Sequence, residues 1–149
     1  MITVRPATIA DSLQIASFNQ AMALETERKY LEDEVIRQGV ANLFNRPDYG
    51  FYMIAEVDGK PSACLLVTYE WSDWRNQLFW WIQSVYVLPE YRGKGLYRAL
   101  YQEVKRLARE KGNVCGFRLY VEKENASAQQ VYQRLGMSEA QYLMYEEML

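Results

Sequence analysis

Leu78-Phe79-Trp80-Trp81-Ile82-Gln83-Ser84-Val85-Tyr86-Val87 is an almost unbroken apolar run whose large side chains would face both sides of an extended backbone. Such a segment reads as a central strand covered on both faces. A chain that contains it must supply covering layers above and below a sheet. A membrane-spanning helix needs roughly 18 apolar residues, and this run is far shorter and is interrupted by Gln83 and Ser84.

The rest of the chain supplies those layers. A short strand over residues 2–5 is closed by Pro6. Apolar spacing predicts helices over 10–24 and 32–44, the second ended by Arg46-Pro47. Strands are predicted over 51–57 and 61–69, joined by Asp58-Gly59, a strong hairpin signal. Residues 71–76 read as the connection into the central strand, 78–87. A long helix over 96–111 ends at Gly112, and a strand covers 117–121. A helix over 126–135 ends at Gly136, a normal C-terminal cap position. A closing strand is placed at 142–148. The order β-α-α-β-β-β-α-β-α-β puts hairpins first and a β-α-β crossover later. The expected fold is therefore α/β (α+β): a mixed, mostly antiparallel central sheet with helices on both faces. With no repeat, low-complexity stretch or long linker, residues 1–149 read as a single domain.

Composition narrows the chemistry. Half of the 149 residues are hydrophobic and 14% are aromatic, enough for a substantial core, so global disorder is excluded. A net charge of −2 argues against a dedicated nucleic-acid binder. The absence of histidine removes Ser-His-Asp and Cys-His catalysis and every His-ligated zinc site. Cys64 and Cys115, in apolar stretches, read as small buried hydrophobes rather than a disulfide framework or metal ligands. The first residues show no charged leader before an apolar run. A soluble, cytoplasmic protein without nucleic-acid or membrane partners and without metal is expected.

The informative stretch is the exit from the central strand: Val87-Leu88-Pro89-Glu90-Tyr91-Arg92-Gly93-Lys94-Gly95-Leu96-Tyr97-Arg98. Backbone N–H groups at the start of a helix lack intrahelical partners, and the helix dipole favours negative charge there. Gly93 and Gly95 remove Cβ atoms from the approach, while Arg92, Lys94 and Arg98 add positive charge. The combination describes a cradle for a diphosphate. It is not a P-loop, which needs Gly, four residues and Gly-Lys-Ser/Thr. Nor is it a dinucleotide fingerprint, since Arg98 stands where the third small residue belongs.

This stretch, taken with Asn125-Ala126-Ser127-Ala128, Tyr132 and Gly136, resembles the GNAT superfamily of acyl-coenzyme A-dependent N-acyltransferases. There a strand ending in Val-x-Pro leads into Arg/Gln-x-x-Gly-x-Gly/Ala and a helix, and Asn-x-x-Ala with a later Tyr and Gly follows. Arg92 to Tyr97 matches except at Tyr97, which replaces a small residue. The resemblance implies an N-acetyltransferase with acetyl-coenzyme A as co-substrate and a sheet splayed at the cofactor cleft after Val87. Backbone groups of Val85 and Val87 would pair with the pantetheine arm. Arg92, Gly93, Lys94, Gly95, Tyr97 and Arg98 would surround the pyrophosphate, with the Tyr97 ring packed away from it. Asn125 would bond the pantetheine side, and Tyr132 would protonate the departing thiolate. That chemistry is self-consistent. A backbone N–H such as that of Val87 can serve a developing oxyanion, and a phenol with pKa near ~10 holds a proton to release.

Relatives often carry Glu where this chain has Gln83. An amide accepts no proton, so Gln83 is assigned to orienting a water or the acceptor. Carboxylates that could act as the base are Glu25, Glu27, Glu70 and Asp73. The junction of the first two helices borders the acceptor pocket in the family, which favours Glu25 and Glu27, and Glu27 is taken as the candidate. Trp71, Trp74, Trp80 and Trp81 beside acidic residues would suit a cationic amine by charge and cation–π attraction, while Trp80 and Trp81 equally fit a core. The expected reaction is direct attack by a small-molecule amine, a small cationic one among the candidates. A protein or peptide N-acetyltransferase is one alternative, and an acyl-coenzyme A sensor or interaction module without turnover is the other. Dimers are common among relatives, so a homodimer is an option that no residue here marks.

Overall fold

The computed structural model describes residues 1–149 as two compact units, Met1–Leu119 and Tyr120–Leu149. The first holds a five-stranded sheet in the order β1-β2-β3-β4-β5. Its elements are β1 (Ile2–Pro6), a 3-10 turn (Ile9–Asp11), α1 (Ser12–Glu27), α2 (Asp33–Phe44), β2 (Gly50–Val57), β3 (Lys60–Ser72), β4 (Gln77–Val87), α3 (Leu96–Lys111) and β5 (Val114–Arg118). The first four strands pair antiparallel and β5 joins β4 in parallel, so the mixed and mostly antiparallel sheet expected from the sequence is present.

Alternation along the strands loads both faces. Tyr52, Ile54 and Cys64 pack with Ile15, Ala16 and Phe18 of α1 and Val40 of α2. Met53, Ala55, Leu65 and Val67 point the opposite way and are fully buried, on the face covered by α3 through Leu96, Leu100 and Val104. Each large apolar side chain so buried contributes about 1.5–3 kcal/mol by leaving water. The start of the helical layer is pinned to β1. Arg5 grips Asp11 with two nitrogens at 2.8 and 2.9 Å and also bonds Glu56 of β2, while Asp11 accepts the Thr8 N–H.

The Asp58-Gly59 turn forms as expected. Both residues have positive φ (49° and 80°), the backbone that a two-residue I′ hairpin requires. Several boundaries move. The β3–β4 hairpin is longer than expected, with Trp71 opposite Leu78 and Ser72 opposite Gln77, so only Asp73 to Asn76 turn. The first helix begins later and runs further than 10–24, because a 3-10 turn precedes it. The fifth strand lies at Val114–Arg118 instead of 117–121. Gly116, just ahead of the expected strand, sits under the Phe79 ring, where an added Cβ would approach to 3.1 Å.

The second unit contains α4 (Ala126–Arg134), with Asn125 as its N-cap. Gly136, with φ 98°, closes the helix as expected. Its N–H bonds the Gln133 carbonyl, and that of Met137 bonds Tyr132. The strand expected at 142–148 is absent. Those residues form neither helix nor strand, and Tyr142, Leu143, Met144, Tyr145 and Met148 are exposed. Residues 142–148 lack the strict apolar–polar alternation of a half-buried strand. No helix is long and apolar enough to cross a membrane.

Candidate active site

The site in the first unit begins where two strands part. Trp81 against Arg118 is the last rung of the β4–β5 ladder, and β4 continues to Val87. Leu88 donates its N–H to the Ser62 carbonyl at 2.9 Å, and Val87 lies opposite Ala63. In an antiparallel pair successive residues turn their backbone groups to opposite sides. The N–H and C=O of Val87 therefore point away from β3. The β4–β5 ladder ends before β4 reaches Val87.

A bulge shapes the same strand. Between Cys64–Tyr86 and Leu66–Gln83 the register slips by one residue. Ser84, inside the bulge and next to Val85, takes a left-handed conformation with φ 50°. Without the extra residue Gln83 and Tyr86 would face opposite sides of the sheet. With it both lie on the face of α1 and α2, because their partners Leu66 and Cys64 both pack there. Gln83 is half-buried and donates Nε2–H to Thr68 Oγ1 at 2.7 Å.

Beyond Val87 the chain makes a single 3-10 turn at Pro89–Tyr91 and enters α3 through Gly93 and Gly95. Both glycines have positive φ (74° and 85°), and nothing lies within 4 Å of where a Cβ would stand. Glycine is required there by the backbone, not by crowding, and the space outside the turn is open. Gly95 caps α3 without a side-chain bond, and the first helical hydrogen bond is Ala99 N–H to Gly95 C=O at 3.0 Å. The preceding amides thus stand outside the helical ladder. These features fit a phosphate group. Lys94 extends over the Tyr91 ring. The Tyr97 ring is parallel to that of Tyr101 one helical turn on, with centroids 6.1 Å apart and planes 4° apart.

Arg92 is seated differently from its neighbours. Its Nε–H donates to the Val87 carbonyl at 2.9 Å and its Nη2 meets Glu25 Oε2 at 2.7 Å, while Tyr86 donates its hydroxyl to Glu25 Oε1 at 3.0 Å. The Arg92 bond, aided by Tyr86, holds the Glu25 carboxyl below its usual range. Burial and the carboxylate push the Tyr86 phenol up. Glu27, the last residue of α1, accepts no hydrogen bond and has only Lys29 Nζ at 3.9 Å. Glu70 is committed elsewhere, to Trp81 Nε1 at 2.8 Å and to Arg118. Asp73 accepts the Trp74 N–H in the hairpin turn. Trp80 is core, packed edge-on against Phe51 and Phe117, whereas Trp71 and Trp74 are exposed.

In the second unit, Asn125 Oδ1 accepts from Ala128 N–H at 3.2 Å and from Ser127 Oγ. Its amide hydrogens are the donors it can offer a ligand. Tyr132 is half-buried on α4, and burial raises its phenol above the ordinary value. Sequence reasoning finds the turn with Gly93 and Gly95. It misses Tyr86, whose placement depends on the bulge at Ser84.

The profile of the acetyltransferase (GNAT) family matches residues 15–137. An uncharacterized N-acetyltransferase of Methanocaldococcus jannaschii is 32% identical over 98 residues, covering 65% of this chain and 42% of the relative. Thialysine N-epsilon-acetyltransferase of Caenorhabditis elegans is 34% identical over 70 residues, covering 47% of this chain and 42% of that protein. The chain thus spans less than half the length of these curated relatives. Among solved structures, a possible acetyltransferase from Clostridium difficile 630 is 44% identical with a TM-score of 0.92, covering 100% of this chain and 98% of that one. A predicted acetyltransferase of Clostridium acetobutylicum, solved with acetyl-CoA, shares the fold at 18% identity and a TM-score of 0.80, covering 99% and 96%.

Proposed function

The chain belongs to the GNAT acetyltransferase family, and from that premise we propose that it transfers an acetyl group from acetyl-coenzyme A to a small amine by direct attack. The observation that carries the reading is the junction of β4 and α3. A strand edge turned away from its neighbour at Val87 is followed at once by a left-handed double-glycine turn opening a helix. Acetyl-coenzyme A would supply the activated thioester, its phosphates at Gly93 to Arg98 and its pantetheine arm along Val85 and Val87. Asn125 takes its part in holding that arm from the family resemblance.

The chain's own groups then divide the work. The Val87 N–H stabilises charge developing on the carbonyl oxygen, as a preoriented backbone donor does. Tyr132, whose half-buried phenol keeps its proton at neutral pH, gives that proton to the departing sulfur. Glu27 accepts the proton lost by the amine; it is the carboxylate at the end of α1 that Arg92 and Tyr86 leave uncommitted. Gln83, held by Thr68, orients the acceptor or a water. The name of the C. elegans relative supports an aliphatic amine, cationic in water, as the acceptor class.

Gln83 also supports a second reading, in which the fold binds acyl-coenzyme A as a sensor, because an amide cannot take the amine's proton. Thiol release measured with acetyl-coenzyme A and a panel of polyamines, lysine analogues, aminoglycosides and peptide N-termini separates the two. Amine-dependent release supports the transferase. Coenzyme A binding without release by any amine supports the sensor.

A further inference from the structure

We infer that Glu25 is a positioning residue for the reaction, acting through Arg92 and Tyr86 to hold the Val87 backbone in its donating orientation. The inference rests on the acetyl-transfer reading above and assigns Arg92 to the strand end instead of the phosphates.

The geometry is a closed loop of three elements. Glu25, near the end of α1, takes Arg92 on one oxygen (2.7 Å) and Tyr86 on the other (3.0 Å). Arg92, in the turn before α3, reaches back to the Val87 carbonyl at 2.9 Å, and its guanidinium carbon lies 5.5 Å from the Tyr86 ring centroid. Residue 87 is thus held from both sides. Its carbonyl is anchored by Arg92. The peptide bearing its N–H begins at Tyr86, which is 5% exposed and whose hydroxyl is tied to α1.

Bracing suits this segment because the β4–β5 ladder ends at Trp81 and Arg118 and β4 carries a bulge at Ser84. A guanidinium suits the task. Its fork reaches a carbonyl and a carboxylate at once, which an ammonium cannot do with the same fixed angles. The ion pair is too exposed, at 48% and 39% of its two side chains, to matter much as a stabilising contact. Such pairs are worth little in water. Its consequence is orientation, and a small misplacement of a catalytic donor slows the reaction without changing ligand affinity much.

The test combines kinetics with a double-mutant cycle. Glu25→Ala and Arg92→Ala are each expected to lower kcat about 10-fold, with the Kd for coenzyme A changed less than about 3-fold. The double variant is expected to fall no further than either single one. Glu25→Gln, which keeps an acceptor for Arg92, should lose less than Glu25→Ala and serves if the alanine variant folds poorly. On the ligand-free protein, the Val87 amide resonance should move in the same direction in the Glu25 and Arg92 variants. Unchanged kcat, losses that multiply to about 100-fold in the double variant, a loss confined to coenzyme A affinity, or an unmoved Val87 resonance would overturn the inference. Absence of acetyl transfer by the wild-type chain would defeat the transferase reading instead, while the resonance still reports on the brace.

Discussion

Trp81 and Arg118 form the final rung between β4 and β5, and from there β4 runs on to Val87 with its outward backbone edge turned from β3. The end of this ladder lies ahead of the Gly93–Gly95 turn, and it is there that the proposed function seats the thioester carrier.

Gly95 has φ 85° and open space beyond its Cα. A valine there is strained by about 1–2 kcal/mol and intrudes where phosphate oxygens would meet backbone amides. Gly95→Val is expected to weaken coenzyme A binding at least about 10-fold by calorimetry. Gly59→Ala, with φ 80° in the β2–β3 turn, is the control: some loss of Tm and no loss of affinity.

Replacing Tyr132 by Phe removes one proton donor and little volume. Turnover should fall about 100-fold, the usual scale for a lost general acid, with KM for acetyl-coenzyme A nearly unchanged. Because burial raises the phenol, its ionisation should not limit the rate below about pH 10, the ordinary tyrosine value. Full turnover in Tyr132→Phe would remove it from the reaction.

Glu27 has no hydrogen bond to hold its carboxylate, in contrast with Glu25. As the group proposed to take the amine's proton, Glu27 is tested by Glu27→Gln, which should lower kcat about 100-fold. An unchanged kcat would assign the base elsewhere.

Asp11 is nearly buried and its carboxyl is held below the normal range, first by the hydrogen bonds from Arg5, against the opposing effect of burial. A depressed folded-state pKa means stability present above the unfolded value, ~3.9, and lost as pH falls through the folded one. Asp11→Asn should cost about 2 kcal/mol at pH 7, roughly 4–8 °C in Tm. The difference from wild type should shrink below pH ~4. A constant difference down to strongly acid pH would contradict the ion-pair account.

Much of the architecture is legible in residue pattern alone, since its determinants are local. Asp58-Gly59 specifies a hairpin by its own φ angles, and Gly112 and Gly136 stop helices for the same reason. Features decided by distant partners are not legible. Gly116 lies within a strand, under the ring of the distant Phe79, although the expected strand starts only at residue 117. The bulge at Ser84, which brings Gln83 and Tyr86 to one face, has no composition signal. Glu25 and Arg92 are coupled across 67 positions of the chain, and neither advertises the other. Residues 142–148 depart the other way: an aromatic-rich run suggests a strand where none forms.

The most direct measurement is an isothermal titration of the purified chain with acetyl-coenzyme A. Saturable binding of one equivalent is expected, abolished or weakened at least about 10-fold by Gly95→Val. No heat of binding up to millimolar acetyl-coenzyme A, from protein shown to be folded, would contradict the cofactor cleft at β4 and α3.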